Sequence, residues 1–378
     1  MMLFVSPLIP TPDYSRLEET VFGHPRVRGL TALVAGAGAL GNEVVRILGL
    51  LGVARVLVVD PDVVEASNLP RSFFFWGREA VGKAKVSSLV DALTPHFPAT
   101  LWKGLKCEIA DVGFGRIAES GILFSCVDSD LARLEIAYIS TKLDIAVVDG
   151  GLGTKNYSHG RISYFPGAKG ACYGCMLSPR KRRELLQYWH ATVRPCSAGD
   201  RLSEQEFPST PTMASAVAAM QVEFGLRSLF GERSETTIES RSWEIRLHPK
   251  VSMTEFRTPV SERCPFHERG HQKMVGAPGP EVTIQEMLTS ASADHLLLDW
   301  PICTKAECLS CHHEWVPMLR LATMRRQALC PVCGSGSVLE VETTRSIGRD
   351  SPFVHFPPSA LGLPPDHLYT LGNRFGRP

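Results

Sequence analysis

Two sets of residues have the types and spacing to do chemistry. The first is Gly36-Ala37-Gly38-Ala39-Leu40-Gly41, which follows an aliphatic run at 30–35 and precedes residues with helical spacing at 42–51. Asp60 stands 19 residues beyond the last glycine, at the end of a second aliphatic run. In such a context glycines let the backbone approach a ligand, the helix N-terminus faces phosphate, and the carboxylate holds a ribose hydroxyl. Gly36, Gly38, Gly41 and Asp60 are therefore nucleotide-binding candidates. A dinucleotide enzyme would show the same fingerprint, so the nucleotide stays open at this point. The second set is sulfur. Eleven cysteines include three C-x-x-C pairs, Cys172/Cys175, Cys308/Cys311 and Cys330/Cys333, and one C-x-x-H, Cys264/His267. A reducing cytosol disfavours structural disulfides, so this spacing points to metal.

The segments after Asp60 narrow the nucleotide. Asp60-Pro61-Asp62, Ser67-Asn68-Leu69-Pro70-Arg71, Gly82-Lys83-Ala84-Lys85 and Cys126-Val127-Asp128-Ser129-Asp130 occur in this order, with Arg133 following. Together they resemble the ThiF/MoeB and ubiquitin-activating superfamily, over roughly residues 14–270. The resemblance implies that ATP and magnesium are used to adenylate the carboxyl end of a ubiquitin-like protein. Charge must then be neutralised at the phosphates as pyrophosphate leaves. Arg71 and Lys85 are cations suited to that, and Asn68 can hydrogen-bond the same oxygens. Asp128 ends a buried run at 122–126 and offers the hard oxygen that magnesium prefers. By the same resemblance Asp60 holds the ribose, Asp62 belongs to the site, and Arg16 reaches across a homodimer to the partner's ATP. Leu17 stands where the family often has glutamine, and a solvated surface role for Arg16 stays open. Lys83 reads as surface, and Asp130 equally as a helix cap.

These residues need an α/β scaffold to position them. Strand-like runs at 30–35, 55–59, 122–126 and 146–149 alternate with helical patterns at 42–51, 82–94 and 131–143. That alternation predicts a doubly wound, mostly parallel Rossmann-like sheet. The expected organisation is an N-terminal arm at 1–29, an ATP-binding domain at 30–274 with a crossover loop at about 191–211, and a linker at 275–294. A zinc ribbon at 295–345 and a tail at 346–378 complete it. Hydrophobic residues make up 44%, enough for a sizeable core, and the net charge of +1 gives no chain-wide field toward nucleic acid or anionic lipid. No apolar run reaches the roughly 20 residues of a spanning helix, and the N-terminus lacks a basic segment before its apolar residues. A cytoplasmic protein with no membrane partner is expected.

Two zinc sites are expected. Cys172 and Cys175 with Cys264 and His267 resemble the superfamily's structural zinc, with His267 where a fourth cysteine usually stands. Cys308, Cys311, Cys330 and Cys333 have the spacing of a zinc ribbon. Ribbons often bind nucleic acid, and Arg320, Arg325 and Arg326 beside Trp315 form a modest basic patch. A docking or stability role is preferred over nucleic acid. His312 and His313 are expected to be exposed and Cys107 and Cys126 to be packed, while Cys303 is a possible spare ligand.

Cys196, in Arg194-Pro195-Cys196-Ser197, falls in the crossover loop. In activating enzymes of the superfamily a nucleophilic cysteine there takes the modifier as a thioester. A neighbouring arginine would lower its thiol pKa, though an ordinary loop thiol remains an alternative. Ser-Asn-Leu-Pro-Arg-Ser followed by Phe73-Phe74-Phe75, the Cys196 loop and the appended ribbon resemble, more narrowly, the activating enzymes of bacterial ubiquitin-like conjugation (Bil-type antiphage) operons. That implies a ubiquitin-like protein and a conjugating enzyme as partners. Other readings are a sulfur-carrier activator of the molybdopterin or thiazole type, a nicotinamide oxidoreductase, and a zinc-ribbon adaptor for nucleic acid.

Overall fold

The computed structural model describes residues 12–76, 79–153, 157–190, 209–230, 239–267, 274–276, 279–364 and 366–372. A short helix α1 (Pro25–Arg28) leads into β1 (Thr31–Ala35), α2 (Ala39–Leu50) and β2 (Arg55–Val59). Then come α3 (Lys85–His96), β3 (Leu101–Leu105), α4 (Phe114–Ala118), β4 (Ile122–Ser125), α5 (Asp130–Leu143) and β5 (Val147–Leu152). β6 (His159–Phe165), α6 (Tyr173–Met176), α7 (Pro179–His190), α8 (Pro211–Phe230), β7 (Ser240–Arg246) and β8 (Ser252–Thr258) complete an eight-stranded sheet, ordered β3-β2-β1-β4-β5-β6-β7-β8. β3 through β5 pair in parallel, and β6, β7 and β8 continue antiparallel.

Successive side chains of a strand point to opposite faces, and the aliphatic runs split accordingly. Ala32, Val34, Val56, Val58, Ile122 and Phe124 pack under α2 and α8. Leu33, Ala35, Leu57, Val59 and Leu123 pack on the other face against α5 and the cysteine loop at 172–175. Every strand of that centre is buried twice, which is why its runs are continuous and legible. β3, β7 and β8 were not anticipated from the sequence. Leu101-Trp102-Lys103 and the Ser240–Arg246 segment mix polar with apolar residues because they lie toward the sheet's flanks, and β8 is almost wholly exposed.

A second sheet forms the C-terminal part. It contains β9 (Met274–Gly276), β10 (His295–Cys308), β11 (Glu314–Trp315), β12 (Leu319–Arg320), β13 (Val338–Gly348) and β14 (Leu368–Gly372), with helices α9 (Ile284–Ser290) and α10 (Leu321–Gln327). Thr283 and Glu286 cap α9 reciprocally. The long β10 is the hub, pairing with β11, β12, β13 and β14. The sheet thus draws strands from 274–276 and 368–372, outside the 295–345 segment that carries the ribbon cysteines.

This C-terminal module sits against α4 and α5. Trp300 is buried among Phe114 and Tyr138, with ring centroids 6.5 and 5.3 Å away. Beside it Asp299, 3% exposed, accepts from His367 Nε2 at 2.9 Å and pairs with Lys142 and the Tyr138 hydroxyl. Burial drives the Asp299 carboxyl upward, but the His367 hydrogen bond and the Lys142 ammonium outweigh it and hold it down at about 2. A carboxylate with a lowered folded-state pKa contributes stability above its unfolded value, about 3.9, and loses it as pH falls through the folded value. Asp299→Asn is therefore expected to remove about 2 kcal/mol at neutral pH and to flatten the stability profile between about pH 4 and pH 2. Denaturant melts of both proteins across that window check it; parallel profiles would refute it.

Among the described residues no helix is long and apolar enough to cross a membrane.

Candidate nucleotide site and zinc centres

The glycine turn joins β1 to α2 at the carboxyl edge of the parallel strands. Gly36 has φ +98°, and a Cβ there would meet the Cys126 carbonyl oxygen at 2.5 Å. At Gly41 a Cβ would meet the Gly36 carbonyl oxygen at 2.0 Å, so this glycine is required by the turn's own closeness. Gly38 differs, because a Cβ there would meet nothing within 4 Å. Its missing side chain leaves free space above the start of α2, where N–H groups favour an anion.

Asp60, 6% exposed, braces this turn. Its Oδ2 accepts from the Ala37 N–H at 2.7 Å and its Oδ1 from the Asp62 N–H at 2.9 Å. Burial raises the Asp60 pKa, and Lys85 and the two N–H groups oppose this only in part. Lys85 opens α3 and donates to Asp62 Oδ2 at 2.8 Å. Burial would lower the Lys85 pKa, but the fields of Asp60, Asp62 and Asp128 raise it on balance, so the ammonium stays charged. Segments widely separated in the chain thus place Asp60, Asp62, Lys85 and Asp128 around one mouth. Asp128 follows β4 and is exposed, a carboxylate suited to a hard cation. Lys83 is exposed.

Asn68 and Arg71 belong to a 3-10 turn, Ala66–Arg71. Asn68 Oδ1 accepts from the Glu65 N–H at 3.0 Å, closing a capping box. Arg71 Nη1 donates to Ser209 Oγ at 2.6 Å, tying this turn to the segment that leads into α8. Cys196 lies outside the described residues, as does most of the crossover loop at 191–211.

Sequence reasoning missed Asn42. It is 1% exposed, donates from Nδ2 to the Ala37 and Gly38 carbonyls at 2.9 and 3.2 Å, and accepts from the Phe74 N–H at 3.0 Å. It staples the glycine turn to the segment after Arg71. The available signal was a polar residue on the buried stripe of a helix that is otherwise apolar there. Asn42→Ala is expected to cost about 2–3 kcal/mol, several lost hydrogen bonds at roughly 1 kcal/mol each. The urea midpoint at unchanged m-value reads this, and an unmoved midpoint would show that the staple is dispensable.

Arg133 on α5 is largely but not fully covered and donates to Asp149 Oδ1 at 3.1 Å and to the Val127 carbonyl at 2.8 Å, bracing the loop that carries Asp128. Asp130 is not the helix cap; Ser129 is, its Oγ accepting from the Ala132 N–H at 3.1 Å. Asp130 instead accepts from the Tyr173 hydroxyl at 2.7 Å. Arg16 is exposed in a 3-10 turn whose neighbour Tyr14 packs over Gly52, at the opposite end of α2 from the glycine turn. Within one chain it is not brought to the mouth.

Both cysteine groups close. In a tetrahedron with zinc–thiolate bonds of about 2.3 Å the sulfurs lie about 3.8 Å apart. Cys172 Sγ is 3.9 Å from Cys175 Sγ and 3.7 Å from Cys264 Sγ. His267 completes this group, and its Nε2 is buried without a hydrogen-bond partner among the described residues. In the ribbon, Cys308–Cys333 and Cys311–Cys330 are each 3.6 Å apart, and all four ligand atoms lie within 4.8 Å of one another. These donor sets and spacings fit zinc. Cys303 is outside both groups: it is buried and donates to the Lys305 carbonyl. Cys107 is half-buried, its thiol pushed up to about 11 chiefly by burial, and Cys126 is packed beside Gln221. His312 pairs with Glu307 and His313 stacks on Trp315.

Two of the three arginines expected to form a basic patch between the ribbon knuckles are spent on carboxylates, and the side chain of Arg326 lies outside the described residues. Arg320, 8% exposed, turns inward to Glu135, Asp111 and Glu108, and Arg325 pairs with Glu340 at 3.2 Å. Cationic side chains spent on buried carboxylates are not free for phosphate.

Residues 21–265 match the model of the ThiF family. The chain is 29% identical over 214 residues to the adenylyltransferase and sulfurtransferase UBA4 of Eremothecium gossypii, covering 55% of this chain and 44% of that protein. It is 25% identical over 290 residues to ubiquitin-like modifier-activating enzyme 5 of Dictyostelium discoideum, covering 71% and 72%. The chain therefore spans under half the length of the first of these relatives. Its shape is similar to the crystal structure of E. coli MccB with succinimide, at TM-score 0.49 and 14% identity, covering 66% of this chain and 68% of that one. The family match runs from the turn before α1, through the glycine turn and the Lys85 mouth, to Cys264 of the first cysteine group: the chain belongs to the ThiF family.

Proposed function

We propose that this protein is an adenylyltransferase that uses ATP and magnesium to activate the C-terminal carboxylate of a small ubiquitin-like protein. The observation that supports it is the gathering of Lys85, Asp60, Asp62 and Asp128 around the open side of Gly38, with Arg71 nearby in sequence and anchored to Ser209. A carboxylate oxygen attacks the α-phosphorus, the bond to the bridging oxygen breaks, and pyrophosphate leaves. Lys85 and Arg71 neutralise the charge that builds on those oxygens. Asp60 holds the ribose and Asn68 Nδ2 supports the phosphates. Asp128 would hold magnesium, which supplies further charge neutralisation when bound. Arg16 acts on the partner's nucleotide in a homodimer, consistent with its distance from its own mouth.

After adenylation, the Cys196 thiolate attacks the acyl carbon, AMP leaves, and the resulting thioester passes to a conjugating enzyme. The narrower setting is a cytoplasmic conjugation pathway of bacterial antiphage defence. The sulfur-carrier reading shares the adenylation step and differs only in needing no thioester. The nicotinamide reading has no use for a charged Lys85 among three carboxylates.

ATP–pyrophosphate exchange that requires a glycine-ending ubiquitin-like protein is the direct test. Exchange absent with every such protein from the same genome, together with tight NAD binding, would end the proposal. Cys196→Ala is expected to retain exchange and to lose any thiol-cleavable adduct on non-reducing gels. An adduct that persists assigns the thioester elsewhere.

A further inference from the structure

Arg320 is placed oddly for a residue of a zinc ribbon. It lies on β12 between the two cysteine knuckles, yet its guanidinium is buried in the other half of the molecule. Nη1 donates to Glu135 Oε1 at 2.8 Å, Nε to Asp111 Oδ1 at 2.8 Å, Nη2 to Asp111 Oδ2 at 3.3 Å, and Nη2 also pairs with Glu108. Glu108 and Asp111 belong to the segment that leaves the carboxyl end of β3. β3 pairs with β2 in register Val59↔Leu105, and the Asp60 N–H donates to the Leu105 carbonyl at 3.2 Å. The residues directly after Leu105 therefore flank Asp60 on the side away from the glycine turn. Ligands of open α/β sheets bind beyond the carboxyl ends of the strands, so this segment is a wall of the same mouth. Glu135 lies on α5, the helix whose Arg133 braces the loop carrying Asp128.

We propose that Arg320 is a positioning residue for the nucleotide site, through which the C-terminal module clamps the 105–111 wall to α5 and so sets the geometry beside Asp60. A planar fork bonded to three carboxylates on two elements fixes orientation in a way a single ammonium does not. The module is then part of the nucleotide-binding apparatus. This inference rests on the nucleotide reading of the mouth.

The experiment is calorimetric titration of the full-length protein with ATP and magnesium, alongside zinc content and thermal melts. Arg320→Lys keeps the charge and loses the fork; Glu108→Gln weakens the grip on the wall alone and serves if the first variant does not fold. Each is expected to raise the ATP dissociation constant roughly tenfold, with both zincs retained and faster amide exchange at 105–111. Arg325→Met, which removes an ion pair inside the module, is expected to lower the melting temperature and leave ATP affinity unchanged. Unchanged ATP affinity in Arg320→Lys and Glu108→Gln, or an equal loss in Arg325→Met, overturns the positioning role. Failure of the wild-type protein to bind ATP would instead remove the nucleotide reading itself.

Discussion

Lys85→Ala is expected to lower ATP–pyrophosphate exchange by about 10²–10³-fold, the scale for removing one preorganised group that stabilises transition-state charge. Lys85 is mostly buried, bonded to Asp62, and lies in the fields of Asp60 and Asp128. Three carboxylates around one ammonium keep it protonated, so its charge is present whenever the nucleotide arrives. Because the folded-state pKa is raised, the charge contributes stability fully below the ordinary lysine value and loses it only as pH rises through the folded value. The rate loss should therefore be constant across neutral and mildly alkaline pH. Removal also leaves the carboxylates without their counter-charge, so ATP binding should weaken together with turnover. Exposed Lys83 is the matched control, and Lys83→Ala should stay within about twofold, as expected for a surface charge. Exchange that survives Lys85→Ala within tenfold of wild type would remove this lysine from the chemistry.

Cys264→Ser should have the larger effect on folding. Cys264 is fully buried, with its sulfur 3.7 Å from Cys172, inside the hydrophobic cluster that backs β1, β2, β4 and β5. A structural zinc contributes about 10–16 kcal/mol of apparent binding free energy in small zinc domains. A domain's whole net stability is only about 5–15 kcal/mol. Loss of this cage should therefore unfold the sheet domain, with zinc falling from the two per chain that the two groups could hold to at most one. Cys311→Ser is the informative contrast. Its cage sits at an exposed tip of the second sheet, so the loss should be confined to that module and to what it clamps. Metal analysis with near-UV circular dichroism distinguishes the two. A Cys264→Ser protein with two zincs and a native melt would show that no structural metal is held there.

Much of this was readable in advance where local rules act alone. β1, the glycine turn, α2 and β2 follow from continuous aliphatic runs and from glycines the backbone cannot replace. The ribbon cysteines lie in knuckles whose spacing is set by tetrahedral geometry. The first cysteine group was read as one set through the resemblance alone; what brings Cys172 and Cys175 to Cys264 and His267 includes the antiparallel strands β7 and β8, which were not read. Those strands alternate polar with apolar residues at the sheet's flank, where periodicity is weak.

Asn42 and Arg320 escaped for a different reason. An asparagine in a helix and an arginine in a ribbon look like surface residues until their partners are known, and Arg320's partners lie about 200 residues away in the chain. Asp130 looked like a cap because Asp is favoured there, yet the adjacent serine had the backbone angles for the role.

By itself, then, the order of residues determined which groups are candidates for phosphate, ribose and metal, because glycine conformations, carboxylate charge and thiolate spacing are local properties. Only the tertiary structure decided which cations stand at the mouth of the sheet and which are used to dock one part of the molecule on another. Lys85 points into a mouth of carboxylates while Arg320 is consumed in docking, and the difference lies in the field from residues distant in sequence, which no local pattern encodes.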